Sequence, residues 1–245
     1  MSTSNTTQKY NEDQLWTDVE TGGLADMTTL PTGERVYGAL HHPLLEVGIL
    51  LPRQFDNGII SLNNSVCPSF NLGIKVTEEM LTRFDPWALK QHTKSGLLER
   101  LKTGEGFDYF AEDNLDAEAA ILDFLHSNNV KEFNREEGTG AIALGNNISF
   151  DMQFFDAQLP RVRAYMHYRK ADVSSINVMA RTRLWKHVQL NGVDKALNHT
   201  ALEDIRESVL EMNAYTSQIN NLLWYKQQAN ELGIVSDMDK CLSDA

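Results

Sequence analysis

Cysteine is scarce in this sequence, which contains only Cys67 and Cys241 among 245 residues. Two cysteines cannot build the disulfide framework of a small secreted domain, and they cannot supply a cysteine-rich metal site. Disulfides are rare in the cytoplasm, where thiols are kept reduced. The expected location of the protein is therefore the cytoplasm.

Long apolar segments are also missing. No run approaches the roughly 20 apolar residues that a membrane-spanning helix requires. The first residues, MSTSNTTQKYNEDQ, contain neither the apolar core of a signal peptide nor the arginine-rich pattern of a transit peptide. We expect no membrane association, and we expect residues 1–12 to form a disordered polar tail.

Positive charge is in deficit, because 22 Lys and Arg residues face 34 Asp and Glu residues and leave a net charge of −12. Proteins that follow long nucleic acids usually have a basic surface, since neutralised phosphates supply most of their affinity. The composition therefore argues against a protein that coats or slides along a polynucleotide. It still allows work on short nucleotides, provided that bound metals and a few placed cations contact the phosphates.

The remaining composition, 42% hydrophobic and 23% charged, is that of a globular protein with a sizeable core. Apolar and β-branched runs separated by turn residues predict strands at QLWTDV, PLLEVGILL, NGIISLN, LGIKV and GAIALGN. Helical periodicity begins near residue 77, is clear at 116–128 and 174–188, and is strongest from Leu202 onward. Strands followed by alternating helices and strands predict an α/β domain with a mixed sheet.

Segments outside this pattern define the expected domain organisation. Residues 13–224 are expected to form one domain, and residues 25–42 within it form a long polar connection between the first two strands. Connections of that length are uncommon and are often functional. The polar residues 225–245 are expected to form a C-terminal extension.

Two carboxylates in the stretch WTDVETGGL, Asp18 and Glu20, are one residue apart just before a turn. Side chains at i and i+2 of a strand point to the same face, so the two charges repel unless a cation lies between them. A solvated strand end is the simpler explanation of an isolated Asp-x-Glu. A bound divalent metal becomes the better explanation if further acidic residues lie close enough to share it.

Two later acids and a histidine supply such partners. Asp151 follows the AIAL strand near a helix start, and Asp204 lies in the first turns of the strongest helix, five residues after His199. Alone, each has an ordinary structural explanation, since acids favour helix first turns and histidines often cap or pack there. Together, four carboxylates can hold two divalent metals ~3.5–4 Å apart, and a histidine suits the role of general base. Hard oxygen ligands favour Mg²⁺ or Mn²⁺ over zinc.

The order Asp-x-Glu, Asp, His-x₄-Asp resembles the DEDD exonuclease superfamily in its histidine-bearing subclass, and within it the oligoribonucleases. Four further blocks resemble that family's motifs: HTKSGLLERLK, GNNISFD, MHYRKADVSSINVMARTRLW and NHTALEDIRESVLEM. The resemblance covers roughly residues 13–24 and 43–219. It implies a ribonuclease-H-like mixed five-stranded sheet flanked by helices. It also implies a dimeric, metal-dependent 3′→5′ exonuclease that degrades short oligoribonucleotides to mononucleotides.

The resemblance also implies roles for individual residues. Asp18, Glu20, Asp151 and Asp204 would bind the metals, and His199 would be the general base. In substrate binding, the resemblance implies that Leu24 is a wedge between two bases and that Trp87 and His92 line the nucleotide pocket. It implies a cap over the 5′ phosphate formed by Asn147, Arg169, Ser174 and Ser175. It also implies that Tyr168 reaches across from the partner subunit. Core packing is the alternative for Trp87.

The phosphate cap has support besides the resemblance. Ser174 and Ser175 are expected to open a helix, whose free N–H groups favour an anion, and Arg169 can bind phosphate oxygens through two hydrogen bonds. The alternative is that Ser174 is only the N-cap.

The chain departs from the family at residues 25–42, where family members have a short connection, and at Thr21-Gly22-Gly23, where they have Met-Thr-Gly. An alternative function is therefore a broader single-strand exonuclease that acts on DNA or longer oligomers. A catalytically silent nucleotide-binding module is the non-enzymatic alternative.

Overall fold

The computed structural model describes residues 13–182, 190 and 200–231 of the chain. Its strands are β1 (Asp13–Thr21), β2 (Met27–Thr29), β3 (Arg35–Tyr37), β4 (Leu44–Leu50), β5 (Phe55–Asp56), β6 (Ile59–Ile60), β7 (Ser69–Ile74), β8 (Tyr109–Ala111), β9 (Ala141–Gly145) and β10 (Lys170–Asp172). Its helices are α1 (Gly38–His41), α2 (Glu78–Leu81), α3 (Pro86–Ser95), α4 (Leu97–Thr103), α5 (Asn114–Ser127), α6 (Ile148–Gln158), α7 (Pro160–Tyr165), α8 (Val173–Arg181) and α9 (Ala201–Glu231).

The main sheet is mixed and has the strand order β10-β9-β1-β4-β7-β8. Strand β4 is antiparallel to both β1 and β7, whereas the outer pairs are parallel. The predicted α/β class with a mixed sheet is confirmed, but the sheet has six strands instead of the expected five. The edge strands β8 and β10 have three residues each, too few to produce an apolar period in the sequence.

One predicted strand, NGIISLN, does not join this sheet. It contributes β6 to a separate two-stranded ribbon with β5. The side chain of Asn213 on α9 donates to the Ile60 carbonyl at 2.9 Å and accepts from the Ile60 N–H at 2.7 Å. Both main-chain groups of Ile60 are thus bound by a helix, and this segment docks on α9.

The core has a layer on each side of the sheet. Leu15 and Val19 of β1 pack in the layer that contains α5 and α6, whereas Trp16 packs in the layer with Ile205 and Val209 of α9. Neighbouring strand residues point to opposite faces, which explains this division. The central strand β4 is buried at every residue, as its apolar run predicts.

Residues 25–42, predicted as an insertion, are ordered. It contains the β2–β3 hairpin followed directly by α1. Gln158 of α6 holds its end, because its side-chain amide donates to the carbonyls of Ala39 and His42, both at 2.8 Å. The hairpin is therefore a fixed part of the domain beside the end of β1.

Helix α9 runs past residue 224, so the structure continues as a helix into the predicted extension as far as Glu231.

Among the residues that the structure describes, no helix combines the length and the apolar character needed to cross a membrane.

Candidate active site

Three of the predicted metal ligands come together at the end of β1. Asp18, Glu20 and Asp204 each offer a carboxylate oxygen, and these oxygens all lie within 4.8 Å of one another. The first two share a face of β1 because they are two residues apart, and the third comes from the first turn of α9. Carboxylate oxygens at this spacing fit a divalent cation of the Mg²⁺ or Mn²⁺ kind.

Gly48 allows α9 to approach these acids. It lies opposite Asp18 in the antiparallel pairing of β1 and β4. A Cβ atom at this glycine would lie 2.8 Å from Cδ1 of Ile205 and 2.9 Å from the carbonyl carbon of Ala201. The start of α9 therefore packs directly on the backbone of β4, and this packing brings Asp204 to the strand carboxylates.

Asp151 lies in the first turn of α6 and is almost completely buried, with 3% of its surface exposed. Its Oδ1 accepts a hydrogen bond of 2.9 Å from the backbone N–H of Val19, the residue between Asp18 and Glu20. The fourth predicted ligand thus adjoins the cluster, with one carboxylate oxygen bound to β1.

The acids of this site resist ionisation. Burial raises the pKa of the Asp18 carboxyl well above its usual value, and the charges of Asp151 and Glu20 add to the rise. Burial raises the pKa of Glu20 to about 8, with the charge of Glu46 as the next cause. Burial raises the pKa of Asp151 to about 7, although hydrogen bonds from backbone N–H groups, including that of Val19, oppose the rise. A divalent cation would relieve this repulsion and restore the charged forms.

A fifth acid, Glu46, was missed by the sequence analysis. It is fully buried and lies opposite Glu20 in the pairing of β1 with β4. One of its oxygens is 3.5 Å from the guanidinium of Arg100, which also lies over the ring of Phe107. Its Oε2 is buried and has no hydrogen-bond partner among the described residues. A single glutamate within the apolar run PLLEVGILL was the signal that could have revealed it.

A cavity of about 530 Å³ opens beside Glu20. Leu24, Trp87 and His92 all line it. The side chains of Leu24 and Trp87 are 69% and 67% exposed, so core packing is not the role of Trp87. His92 is buried, and its Nε2 is 2.8 Å from the carbonyl oxygen of Thr21. This histidine therefore binds the end of β1 as well as lining the cavity.

Two of the four predicted phosphate-binding residues, Asn147 and Ser174, meet at Asp172. Its Oδ1 accepts hydrogen bonds from the N–H of Asn147 at 3.0 Å and from the N–H and Oγ of Ser174 at 2.9 and 2.6 Å. The interpretation of Ser174 as the N-cap is wrong, because Asp172 caps α8 and the helix begins at Val173. The carboxylate already binds an N–H group of this helix end, which reduces its attraction for an anion.

Tyr168 and Arg169 lie on the surface before α8. Tyr168 is 57% exposed, and the guanidinium of Arg169 is 5.5 Å from the centre of its ring. Ser175 is exposed on the first turn of α8. His199, the predicted general base, lies outside the described residues.

The chain is similar to curated oligoribonucleases over most of their length. The protein from Vibrio campbellii is 30% identical over 209 residues, which cover 85% of this chain and 96% of that one. The proteins from Photorhabdus laumondii and Escherichia coli K12 are each 37% identical and are covered to 71% of their length, with 59% of this chain. No protein-family model matches the chain.

Among solved structures, exonuclease I matches 89% of this chain with a TM-score of 0.51 and 15% sequence identity. The chain spans 44% of the length of that protein. At this identity the likeness concerns the fold, and it confirms the expected ribonuclease-H-like architecture.

Proposed function

The chain belongs to the oligoribonuclease family, and we propose that it is a metal-dependent 3′→5′ exonuclease that hydrolyses short oligoribonucleotides to mononucleotides. The observation that carries the proposal is the convergence of Asp18, Glu20 and Asp204 beside a cavity lined by exposed apolar side chains. Such a site joins hard oxygen ligands for a cation to a surface suited to nucleobases.

Asp18, Glu20, Asp151 and Asp204 would hold two divalent cations, Mg²⁺ or Mn²⁺. The chemistry that such cations supply when bound is activation of a water molecule and stabilisation of the leaving oxygen. The hydrogen bond from the Val19 N–H to Oδ1 of Asp151 holds this carboxylate beside the strand that carries Asp18 and Glu20. His199 would accept the proton of the attacking water, which is a role predicted from its place in the sequence.

The cavity would hold the bases of the substrate. Leu24 and Trp87 offer exposed apolar surface, and aromatic side chains stack on any base. His92 would keep the end of β1 in place through its bond to Thr21. Asn147, Arg169, Ser174 and Ser175 would bind the 5′ phosphate, with Arg169 supplying the positive charge at the surface.

Binding through a small number of specific contacts agrees with the net charge of −12, because a short substrate does not require a basic groove.

A silent binding module is the weaker alternative, since each described catalytic position carries the carboxylate that hydrolysis requires. A broader exonuclease acting on DNA or longer oligomers remains the second candidate, favoured by the hairpin that lines the cavity.

A substrate-length series tests the proposal. Purified protein with Mg²⁺ or Mn²⁺ is given 5′-phosphorylated RNA of two, three, five and ten nucleotides, with matched DNA. A steep preference for the RNA dinucleotide is expected. A flat profile or equal cleavage of DNA would favour the broader exonuclease, and no cleavage of any substrate would refute the enzymatic proposal.

We further propose a cytoplasmic homodimer with residues 13–224 as its exonuclease domain and Tyr168 reaching the partner's site. Exposed apolar side chains on α9 support an interface there, since such patches mark contact surfaces; they are Ile219, Leu222, Leu223, Trp224 and Tyr225. Sedimentation equilibrium should give twice the chain mass of 27.7 kDa. Substituting Leu223→Asp should reduce the mass to that of one chain, and a monomeric unaltered protein would contradict the proposal.

A further inference from the structure

The β2–β3 hairpin forms part of the cavity that contains the candidate active site. Asp26, Met27 and Thr28 line the same cavity as Glu20 and Trp87. These three residues belong to the segment 25–42, which the sequence analysis predicts to be an insertion. The hairpin therefore adds a wall that comes from a chain segment separate from the strands and helices that carry the acids.

The hairpin presents an apolar pair beside this cavity. Met27 and Tyr37 are directly opposite each other in the β2–β3 pairing. Opposed residues of an antiparallel pair point to the same face with their Cβ atoms about 4.5–5.5 Å apart. The side chains of Met27 and Tyr37 are 41% and 61% exposed, whereas Thr28 and Val36 on the other face are half-buried. The pair is thus a surface of a thioether and an aromatic ring, in which Met27 lines the cavity and Tyr37 lies directly beside Met27 on the strand β3.

The position of this pair is fixed relative to Leu24. The N–H of Gly38 donates to the Asp26 carbonyl at 2.9 Å, and the N–H of Ala39 donates to the Ala25 carbonyl at 3.2 Å. A Cβ atom at Gly38 would lie 1.8 Å from the carbonyl oxygen of Leu24, so only glycine fits at this crossing. A pair held in this way needs little further ordering when a ligand binds.

We propose that the hairpin is a nucleobase-binding specificity element, in which Met27 and Tyr37 hold a base of the short oligonucleotide that enters the cavity. The inference rests on the proposed function and extends it to the insertion. Nucleobases have flat apolar faces that stack on aromatic rings, and thioethers adapt to such surfaces. The pair contacts a base and not the reacting phosphodiester, so its loss weakens substrate binding while the chemical step continues.

The test measures kcat and KM for a 5′-phosphorylated diribonucleotide with Tyr37→Ala, Met27→Ala and the unaltered protein. Tyr37→Ala should raise KM about tenfold, the size expected for one lost stacking contact, with kcat changed less than about threefold. Met27→Ala should raise KM by a smaller factor. Tyr37→Phe should keep the KM of the unaltered protein because the ring remains.

Thr29→Ala is the matched control. Thr29 is exposed on β2, on the same face as Met27, but it is two residues farther along the strand and pairs with Arg35 instead of Tyr37. The KM of Thr29→Ala should equal that of the unaltered protein. Thermal melting of every variant should show an intact fold.

A dinucleotide with one base removed identifies the contact. If Tyr37 contacts the missing base, the unaltered protein and Tyr37→Ala should have the same KM for the abasic substrate. If Tyr37 acts only on the fold, Tyr37→Ala should raise KM by the same factor for the intact and the abasic substrate. Equal KM values for all variants on the intact substrate, with active unaltered protein, overturn the hairpin assignment alone. Absence of cleavage by the unaltered protein overturns the proposed function and this inference with it.

Discussion

Gly48 is the residue on which the geometry of the acids depends most directly. Its missing side chain lets Ala201 and Ile205 rest on β4 opposite Asp18. Asp204 lies on the same helical turn, and its carboxylate oxygen lies within 4.8 Å of those of Asp18 and Glu20. A glycine in an apolar strand costs intrinsic strand stability, so a close approach of another element accounts for it.

Gly48→Val should separate Asp204 from the strand acids. We expect a loss of turnover on the order of 10²-fold or more and a stability loss of about 1–3 kcal/mol from overpacking. Kinetics with the dinucleotide and chemical unfolding measure both. Val47→Ile is the control, because Val47 packs in the core layer on the other face of β4. Full activity of Gly48→Val would show that α9 does not need this close contact.

Asp18 is the acid whose charged form is opposed by the largest number of neighbouring carboxylates. Burial raises the pKa of its carboxyl, and the charges of four neighbouring acids raise it further. Asp18→Asn should abolish turnover, by on the order of 10³-fold, because a metal ligand is lost. The same change should raise the metal-free melting temperature, since a buried carboxyl no longer repels its neighbours; each kcal/mol gained corresponds to about 2–4 °C. Glu99→Gln, at an exposed acid on α4, serves as the control. Turnover retained in Asp18→Asn would contradict the metal assignment.

At the scale of elements, β4 and α4 are joined by a buried charge. Glu46 on β4 has its nearest cation in Arg100 of α4, and the same guanidinium packs on Phe107. Burial raises the pKa of Glu46, and the positive charge of Arg100 opposes this rise. The ion pair therefore limits the rise in the pKa of this fifth acid, which lies beside Glu20.

Arg100→Ala should leave Glu46 buried without its cation and lower the free energy of unfolding by about 1–3 kcal/mol. Adding Glu46→Gln should recover part of that loss, because the amide carries no charge. Urea unfolding of the two single variants and the double variant gives the coupling between the residues. Simple additivity of the two changes would mean that the pair has no energetic role.

Short elements escaped prediction for a physical reason. Strands of three residues, such as β2 (Met27–Thr29) and β3 (Arg35–Tyr37), contain less than two periods of side-chain alternation. Their stability comes from the hairpin turn and from the bonds of Gly38 and Gln158 at its base. Long periodic helices such as α5 were predicted within about two residues of their bounds, since apolar spacing along the chain is sufficient for them.

At the scale of the whole molecule, the acidic site links stability to pH. The pKa values of Glu20 and Asp151, about 8 and about 7, lie above those of unfolded chains, about 4.3 and 3.9. The folded protein therefore binds more protons than the unfolded chain between about pH 4 and pH 8. In this window the free energy of unfolding of the metal-free protein falls as the pH rises.

The prediction is a metal-free melting temperature that decreases from pH 5 to pH 8 in EDTA. Saturating Mn²⁺ should reduce or abolish the decrease, because the cation binds the ionised acids of the folded state. Differential scanning calorimetry at four pH values measures both series. Asp18→Asn should show a shallower slope than the unaltered protein. A melting temperature that rises with pH without metal would contradict the raised pKa values.

The sequence by itself determined the fold class, the acidic character and the order of the site residues. Asp18 and Glu20 share a face in any strand, and the motif blocks around Asp151 and Asp204 are legible along the chain. Their roles as metal ligands stay predictions, as does the role of His199. These features depend on local geometry or on chain order, which a sequence contains directly.

The tertiary structure alone decided which further residues meet the site. Glu46 and Gly48 became neighbours of the acids through the register of β1 with β4, and Asp172 took the cap position that had been considered for Ser174. Met27 reached the cavity, with Tyr37 opposite it, because residues 25–42 fold back as a hairpin. Contacts between residues distant in the chain depend on strand register, on close packing and on competition between hydrogen-bond acceptors. The periodicity of side chains along one segment carries no information about these three factors.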